Sequence, residues 1–280
     1  PGNGRIRPLR GSHLLLPSWR LPVAHAFSFM HAADGRPVFL FPWEGATVIG
    51  TTDLDHADDL DHEAAISVEE VDYLLAACTQ QFPTAQVSRA DVLSTWAGVR
   101  PVVSDGGGAL KPSDEKREHA LWIEPGSVTL AGGKLTTYRK LAESAMQQLA
   151  PYFSNLGPSW TASAPLPGGE DMQEQSTLVE ALCERHGWLP TSLAKRWVSS
   201  YGSRTWRLLD GVHNLTDLGE HLGAGLYTRE VEYLRREEWA RSSADILWRR
   251  SKLGLFMTPA QQTRLQDYLT SRDPHSAHAA

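Results

Sequence analysis

The sequence predicts an α+β protein, with a strand-and-helix part over residues 1–150 and an all-helical part over residues 151–280. Three observations carry that division. Short runs of β-branched and aromatic residues recur as far as Ala131 and then almost cease. Pro165-Leu166-Pro167-Gly168-Gly169 is a linker-like stretch. Beyond it, apolar residues recur at the three-to-four spacing of one helix face, between glycine and proline stops.

The elements follow in order. Val38-Phe39-Leu40-Phe41 and Thr47-Val48-Ile49 are strand runs, joined through Gly45 as a turn residue. Ser67 followed by Glu70 is a capping box, after which Val71, Leu74, Leu75, Cys78 and Phe82 repeat at helical spacing. His119 to Ile123 and Val128 to Ala131 are a second strand pair around Pro125-Gly126. A helix follows Gly132-Gly133, with Tyr138, Leu141, Ala142, Ala145 and Leu149 on its apolar face. In the second part, helices are expected over Leu178 to His186, Pro190 to Ser200, Arg229 to Arg241 and Ala244 to Leu253. A last helix opens at Thr258-Pro259, with threonine as N-cap and proline at the first helical position. Trp197, Trp206, Trp239 and Trp248 recur with helical partners and are assigned to core packing. The small, polar tail from Asp273 is expected to fray.

Composition excludes several classes. With 41% apolar and 21% charged residues the chain reads as soluble and globular rather than disordered. A net charge of -6 gives no electrostatic support to nucleic-acid binding. The two cysteines, Cys78 and Cys183, sit in apolar helical patterns and read as buried thiols of a reducing compartment. No apolar run approaches the roughly 18 residues that span a bilayer. The opening Pro1-Gly2-Asn3-Gly4 lacks an initiator methionine and reads as a cut through a longer protein.

Four segments invite a chemical reading. Leu130 to Tyr138 reads strand, glycine turn, helix: Gly132 and Gly133 admit a ligand close to the backbone, Thr136 or Thr137 is placed to cap, and the first-turn amides carry partial positive charge. Lys134 adds a full charge there, and the plainer alternative is an ordinary turn with a solvent-facing lysine. Arg7 to His13 gathers two arginines and a histidine beside an apolar run. A histidine at a strand edge is a candidate general base because imidazole titrates near neutrality, although most such histidines are structural. Arg100 lies between small or apolar neighbours and Pro101, which suits either a fork on phosphate or carboxylate or a buried ion pair. The acidic stretch from Asp53 to Glu63 fails the calcium-loop pattern and reads as a solvated loop.

Taken together and in order, RPLRGSH (7–13), DGRPVFLFPWEG (34–45), IGTTD (49–53), WAGVRP (96–101), AGGKLTTYRKLAE (131–143), LPGG (166–169) and DILWRRSKLG (245–254) resemble the FAD-dependent glycerol-3-phosphate dehydrogenase family, over nearly the whole chain. The resemblance implies part of a flavin and substrate domain with mixed and antiparallel strands, then an all-α carboxy-terminal cap. It implies FAD as cofactor and oxidation of sn-glycerol 3-phosphate to dihydroxyacetone phosphate. It further implies a membrane quinone as electron acceptor, a homodimer, and a place on the cytoplasmic, inner face of the membrane. Arg100 and Arg117 would hold the phosphate, His13 would take the hydroxyl proton, and Lys134 would stabilise developing charge. Gly132, Gly133, Lys134, Leu135 and Thr136 would contact the flavin. No metal is implied.

The chain departs from the family in having no GxGxxG turn, the motif that holds the ADP part of FAD. It is therefore expected to be the carboxy-terminal portion, and colourless and inactive by itself. The alternatives are a glycerol-3-phosphate oxidase that uses oxygen and a non-catalytic interaction module.

Overall fold

The computed structural model describes residues 5–104, 112, 117–170 and 174–272. The tail from Asp273 lies outside the described residues. Two compact units divide between Ala162 and Ser163.

The first unit is built on one antiparallel sheet. Its strands are β1 (Arg5–Pro17), β2 (Phe27–Met30), β3 (Pro37–Trp43), β4 (Ala46–Gly50), β5 (Leu54–Asp55) and, after helix α1 (Val68–Gln81), β6 (Ser94–Ser104). The order β2-β3-β4-β1-β5 is completed by β6, which pairs with β1. The β3–β4 hairpin turns at Glu44-Gly45, both in the left-handed region that such a tight turn demands. Alternation then sorts the faces of β1. Arg10, Ser12, Leu14 and Leu16 point one way, and Leu14 and Leu16 join Leu40, Ile49, Leu74 and Cys78 in one core. Each such buried leucine contributes about 1.5–3 kcal/mol. Gly11 and His13 belong to the other face.

The capping box forms: Ser67 Oγ accepts from Glu70 N–H at 3.2 Å and Glu70 accepts from Ser67 N–H at 2.8 Å. Strands β7 (Ala120–Glu124) and β8 (Ser127–Ala131) form a separate hairpin through Pro125-Gly126, and α2 (Tyr138–Leu149) follows. Neither threonine caps α2. Leu135–Thr137 is a 3-10 turn, and Thr137 Oγ1 donates back to the Lys134 carbonyl at 2.9 Å instead.

The second unit packs α3 (Gln175–Arg185), α4 (Thr191–Tyr201), α5 (Thr205–Leu208), α6 (Thr228–Glu237) and α7 (Pro259–Arg272) around Trp197, Tyr233 and their leucine neighbours. A two-stranded ribbon, β9 (His221–Gly223) with β10 (Leu226–Tyr227), adds to the helices. Ala244 to Leu253 departs from an ordinary helix: Asp245–Arg250 is a π-helical turn. Thr258 opens α7 with a reciprocal pair, Thr258 N–H to Gln261 Oε1 at 2.9 Å and Gln261 N–H to Thr258 Oγ1 at 3.4 Å.

The tryptophans divide. Trp197 is fully buried and Trp206 packs on the core, but Trp239 is 78% exposed and Trp248 38%. Helical spacing alone assigned all four to the core. Trp239 lies just beyond α6 with positive φ, where the chain leaves the helix and spacing no longer indicates direction. Cys78 is buried and Cys183 half-buried, and both are free thiols.

Candidate active site

Strands β1, β4 and β6 and three connecting segments build the site on the Gly11–His13 face of the sheet. Register brings Leu9 opposite Arg100, Gly11 opposite Gly98 and His13 opposite both Trp96 and Gly50. The side chain of Arg100 then lies over Gly11, where an added Cβ would come within 2.1 Å of its Nη1. Gly11 therefore has to be glycine for the guanidinium to lie flat on the strand. Likewise the His13 ring covers Gly50, where a Cβ would meet its Cδ2 at 2.1 Å.

Thr51 and Asp53, in the corner after β4, complete the arrangement. Thr51 Oγ1 accepts from Arg100 Nη2 at 3.2 Å. Asp53 accepts from Arg117 Nη2 at 2.7 Å and lies 3.5 Å from Arg100 Nη1. Asp53 is 4% exposed and His56 7%, so the acidic stretch is not the uniformly solvated loop its composition suggests. Asp55 and residues 57–63 stay exposed. The sheet buries the first carboxylate because two guanidiniums come to it from β6 and the segment before β7, which offsets the cost of desolvation.

Arg100, Arg117, Gly132, Gly133, Lys134, Leu135 and Thr136 line one cavity of about 490 Å³. Gly132 and Gly133 both have positive φ, and a Cβ on Gly132 would lie 3.0 Å from the Glu118 carbonyl and 3.2 Å from that of Pro101. The glycine turn is thus pressed against β6, and it carries Lys134 to the same cavity as Arg100. Lys134 Nζ pairs with Glu118 at 3.3 Å, an exposed contact of little energetic weight. Leu135 is 88% exposed beside it. Two left-handed glycines, a first turn without a side-chain cap and an open apolar Leu135 fit the edge of a planar cofactor.

His13 is the neighbour of this cavity rather than a wall of it. It lies inside β1, flanked by strands on both sides, and not at a strand edge. Its ring stacks on Trp96 with centroids 5.0 Å apart, and Trp96 in turn meets Trp43. Burial, with the Arg100 cation adding to it, pushes its pKa down to about 4. The imidazole is therefore neutral at pH 7, the form a base requires, although not poised near neutrality as its residue type suggests. Burial and the nearby Arg117 cation also lower the Arg100 pKa, against the opposing pull of Asp53.

Three buried polar atoms here, His13 Nδ1, Asp53 Oδ1 and Arg100 Nη1, have no hydrogen-bond partner among the described residues. Unpaired buried groups are costly and are commonly completed by ligand or water. Of the residues the sequence singles out, the structure brings Arg100, Arg117 and Lys134 to one cavity and sets His13 beside it; Asp53, Thr51, Gly11 and Trp96, which join them, were not singled out. Two glycines placed within apparent strand runs were the available signal for Gly11 and Gly98.

Comparison with known proteins agrees with this geometry. Residues 1–139 match the family model described as FAD dependent oxidoreductase, and residues 159–269 that of the C-terminal domain of alpha-glycerophosphate oxidase. A glycerol-3-phosphate dehydrogenase of Pseudomonas aeruginosa is 50% identical, covering 98% of this chain and 54% of that protein. A D-erythritol 1-phosphate dehydrogenase of Brucella abortus is 36% identical, covering 94% and 52%. The crystal structure of the Bacillus halodurans glycerol-3-phosphate dehydrogenase complexed with FAD superposes with a TM-score of 0.77 at 25% identity, over 96% of this chain and 57% of that one. The chain thus spans about half the length of the relatives it matches. Two family models in series and these relatives converge on one conclusion: the chain belongs to the FAD-dependent glycerol-3-phosphate dehydrogenase family.

Proposed function

We propose that this chain supplies the phosphate-binding and flavin-facing side of an enzyme that oxidises sn-glycerol 3-phosphate to dihydroxyacetone phosphate. The observation that carries the reading is the pair Arg100 and Arg117, held together by buried Asp53 beside the Gly132–Lys134 turn. Two forks that share one carboxylate keep further N–H donors for a phosphate dianion. The 50% identical dehydrogenase favours a three-carbon substrate over the four-carbon polyol phosphate named for the 36% identical relative.

FAD, when bound, supplies the acceptor for the hydride from the carbinol carbon. Gly132, Gly133, Leu135 and Thr136 would hold the flavin edge. Arg100 and Arg117 orient the substrate by its phosphate. His13 receives the hydroxyl proton, its ring held in place by stacking on Trp96. Lys134 places positive charge where negative charge develops. These 280 residues contain no GxGxxG turn, the motif that holds the ADP part of FAD. Membrane quinone is the proposed acceptor, in a homodimer peripheral to the inner face of the membrane. No described helix is long and apolar enough to cross a bilayer. Quinone reduction without stoichiometric peroxide separates this reading from an oxidase.

Two outcomes test the assignment of roles. Lys134→Ala should slow flavin reduction in a single turnover more than it weakens substrate binding, because the charge acts mainly on the transition state. An unchanged reduction rate would remove Lys134 from the site. The second concerns pH. A base with pKa about 4 is free above that value, so the rate should fall only as pH drops through about 4, and His13→Asn should abolish that limb. The same shift predicts a stability trend. Since the folded pKa lies below the unfolded one, the His13 contribution is complete above about 6.5 and declines as pH falls towards 4. A rate limb near pH 6.5 that vanishes in His13→Asn would show an ordinary, exposed imidazole instead.

A further inference from the structure

We infer that Glu70, on the far face of the sheet, is a positioning residue for the anion site, setting the corner that presents Thr51 and Asp53 to the two arginines. The inference rests on reading Arg100 and Arg117 as the phosphate site. A capping-box glutamate needs only the backbone N–H of its N-cap residue, and it ordinarily sits at a solvated helix end. Glu70 has that bond, Oε2 accepting from Ser67 N–H at 2.8 Å, but it is 2% exposed. Its carboxylate accepts two hydroxyls as well, Ser12 Oγ at 2.8 Å and Thr52 Oγ1 at 2.6 Å, both on Oε1. Arg10 Nη2 lies 3.0 Å from Oε2. Burial opposes ionisation, but the bonds from Thr52, Ser67 and Ser12, with the Arg10 cation, outweigh it and hold the pKa below the ordinary value.

An ionised carboxylate can only accept. Thr52 must therefore direct its hydroxyl proton at Glu70, which leaves its oxygen to accept from Ser12 N–H at 2.9 Å. Thr52 N–H donates to the Ser12 carbonyl at 3.3 Å. Thr52 is thereby tied to β1 at both its backbone and its side chain, and to α1 through Glu70. Its two chain neighbours are the ones that face the arginines: Thr51 accepts from Arg100, and Asp53 from Arg117. The Asp53 carbonyl also accepts from Arg36 Nη1 at 2.6 Å. Three consecutive residues thus connect the helix start to the anion site, with the sheet between them. A capping role alone explains the bond to Ser67 and leaves the other three contacts without a purpose.

The test uses three variants in the flavin-loaded enzyme. Glu70→Gln replaces one acceptor oxygen by an amide N–H donor, so that one pair of its contacts, Ser67 N–H with Arg10 or Ser12 with Thr52, loses its acceptor. Thr52→Val keeps the shape and removes the relay hydroxyl. Ser67→Ala removes the cap without touching Thr52. Glu70→Gln and Thr52→Val should raise KM for sn-glycerol 3-phosphate about fivefold or more, with kcat within about twofold. They should also reduce the rise in Tm that inorganic phosphate confers. Ser67→Ala should lower Tm and leave KM as it was. Folded Glu70→Gln and Thr52→Val proteins with wild-type KM and phosphate response would overturn the inference, as would a KM change in Ser67→Ala of equal size. Arg100→Ala separates the two claims: if it leaves phosphate affinity intact, the anion-site reading has failed and not the relay.

Discussion

In the complete, flavin-loaded enzyme, replacing Arg100 by alanine should lower kcat/KM for sn-glycerol 3-phosphate by about 10–150-fold, while the low turnover of plain glycerol changes little. The factor is that of losing a charge-assisted hydrogen bond to a phosphate, roughly 1.5–3 kcal/mol. Selectivity for the phosphorylated substrate is the informative part. A guanidinium that served only the fold would affect both substrates alike when removed. Arg117 keeps its 2.7 Å contact with Asp53 in the variant, so the buried carboxylate is not left without a cation. Arg100→Lys is expected to recover only part of the loss, since an ammonium cannot reproduce the fork that reaches Thr51 and Asp53 together. Equal losses on glycerol and its phosphate would refute the phosphate role and leave a structural ion pair.

The largest effect on stability is expected from Glu230→Ala, at about 3–5 kcal/mol. Glu230 on α6 is fully buried and accepts from both terminal nitrogens of Arg196, at 2.7 and 2.6 Å, and from Tyr201 Oη at 2.6 Å. Arg196 continues to the Gly225 carbonyl at 2.8 Å, so one carboxylate joins α4, α6 and the β9–β10 turn. The Glu230 charge holds the Arg196 pKa up against burial. Burial pushes the Tyr201 phenol well above its ordinary value, and the Glu230 carboxylate adds to that shift. Alanine would leave a half-buried guanidinium and a buried phenol facing a void. Residues 163–280 have their own core and caps and are expected to fold when expressed separately, which makes the comparison simple. Denaturation followed by circular dichroism would measure it. A loss below about 1 kcal/mol would mean that water reaches Arg196 and that the network is not sealed.

What the sequence by itself determined was local. The Ser67–Glu70 capping box, the Thr258-Pro259 helix start and the hairpins at Gly45 and Pro125-Gly126 rest on contacts between residues a few positions apart, and so were legible. The family, too, was legible, because several short motifs in fixed order are specific without any structure. The tertiary structure decided whatever depends on which distant groups meet. Arg100 and Gly11 come together only through the β1–β6 register, and nothing near either residue specifies that pairing. Asp53 looked like the start of a solvated loop because its neighbours are acidic and polar. It is buried because two arginines reach it from elsewhere. His13 carried the expectation of a neutral-range pKa, which burial and the approach of Arg100 remove. Glu70 shows both cases in one side chain. Its bond to Ser67 follows from spacing, and its bonds to Ser12 and Thr52 follow from how the helix packs on the sheet. Desolvation and long-range charge are properties of the packed molecule, and local pattern does not encode them.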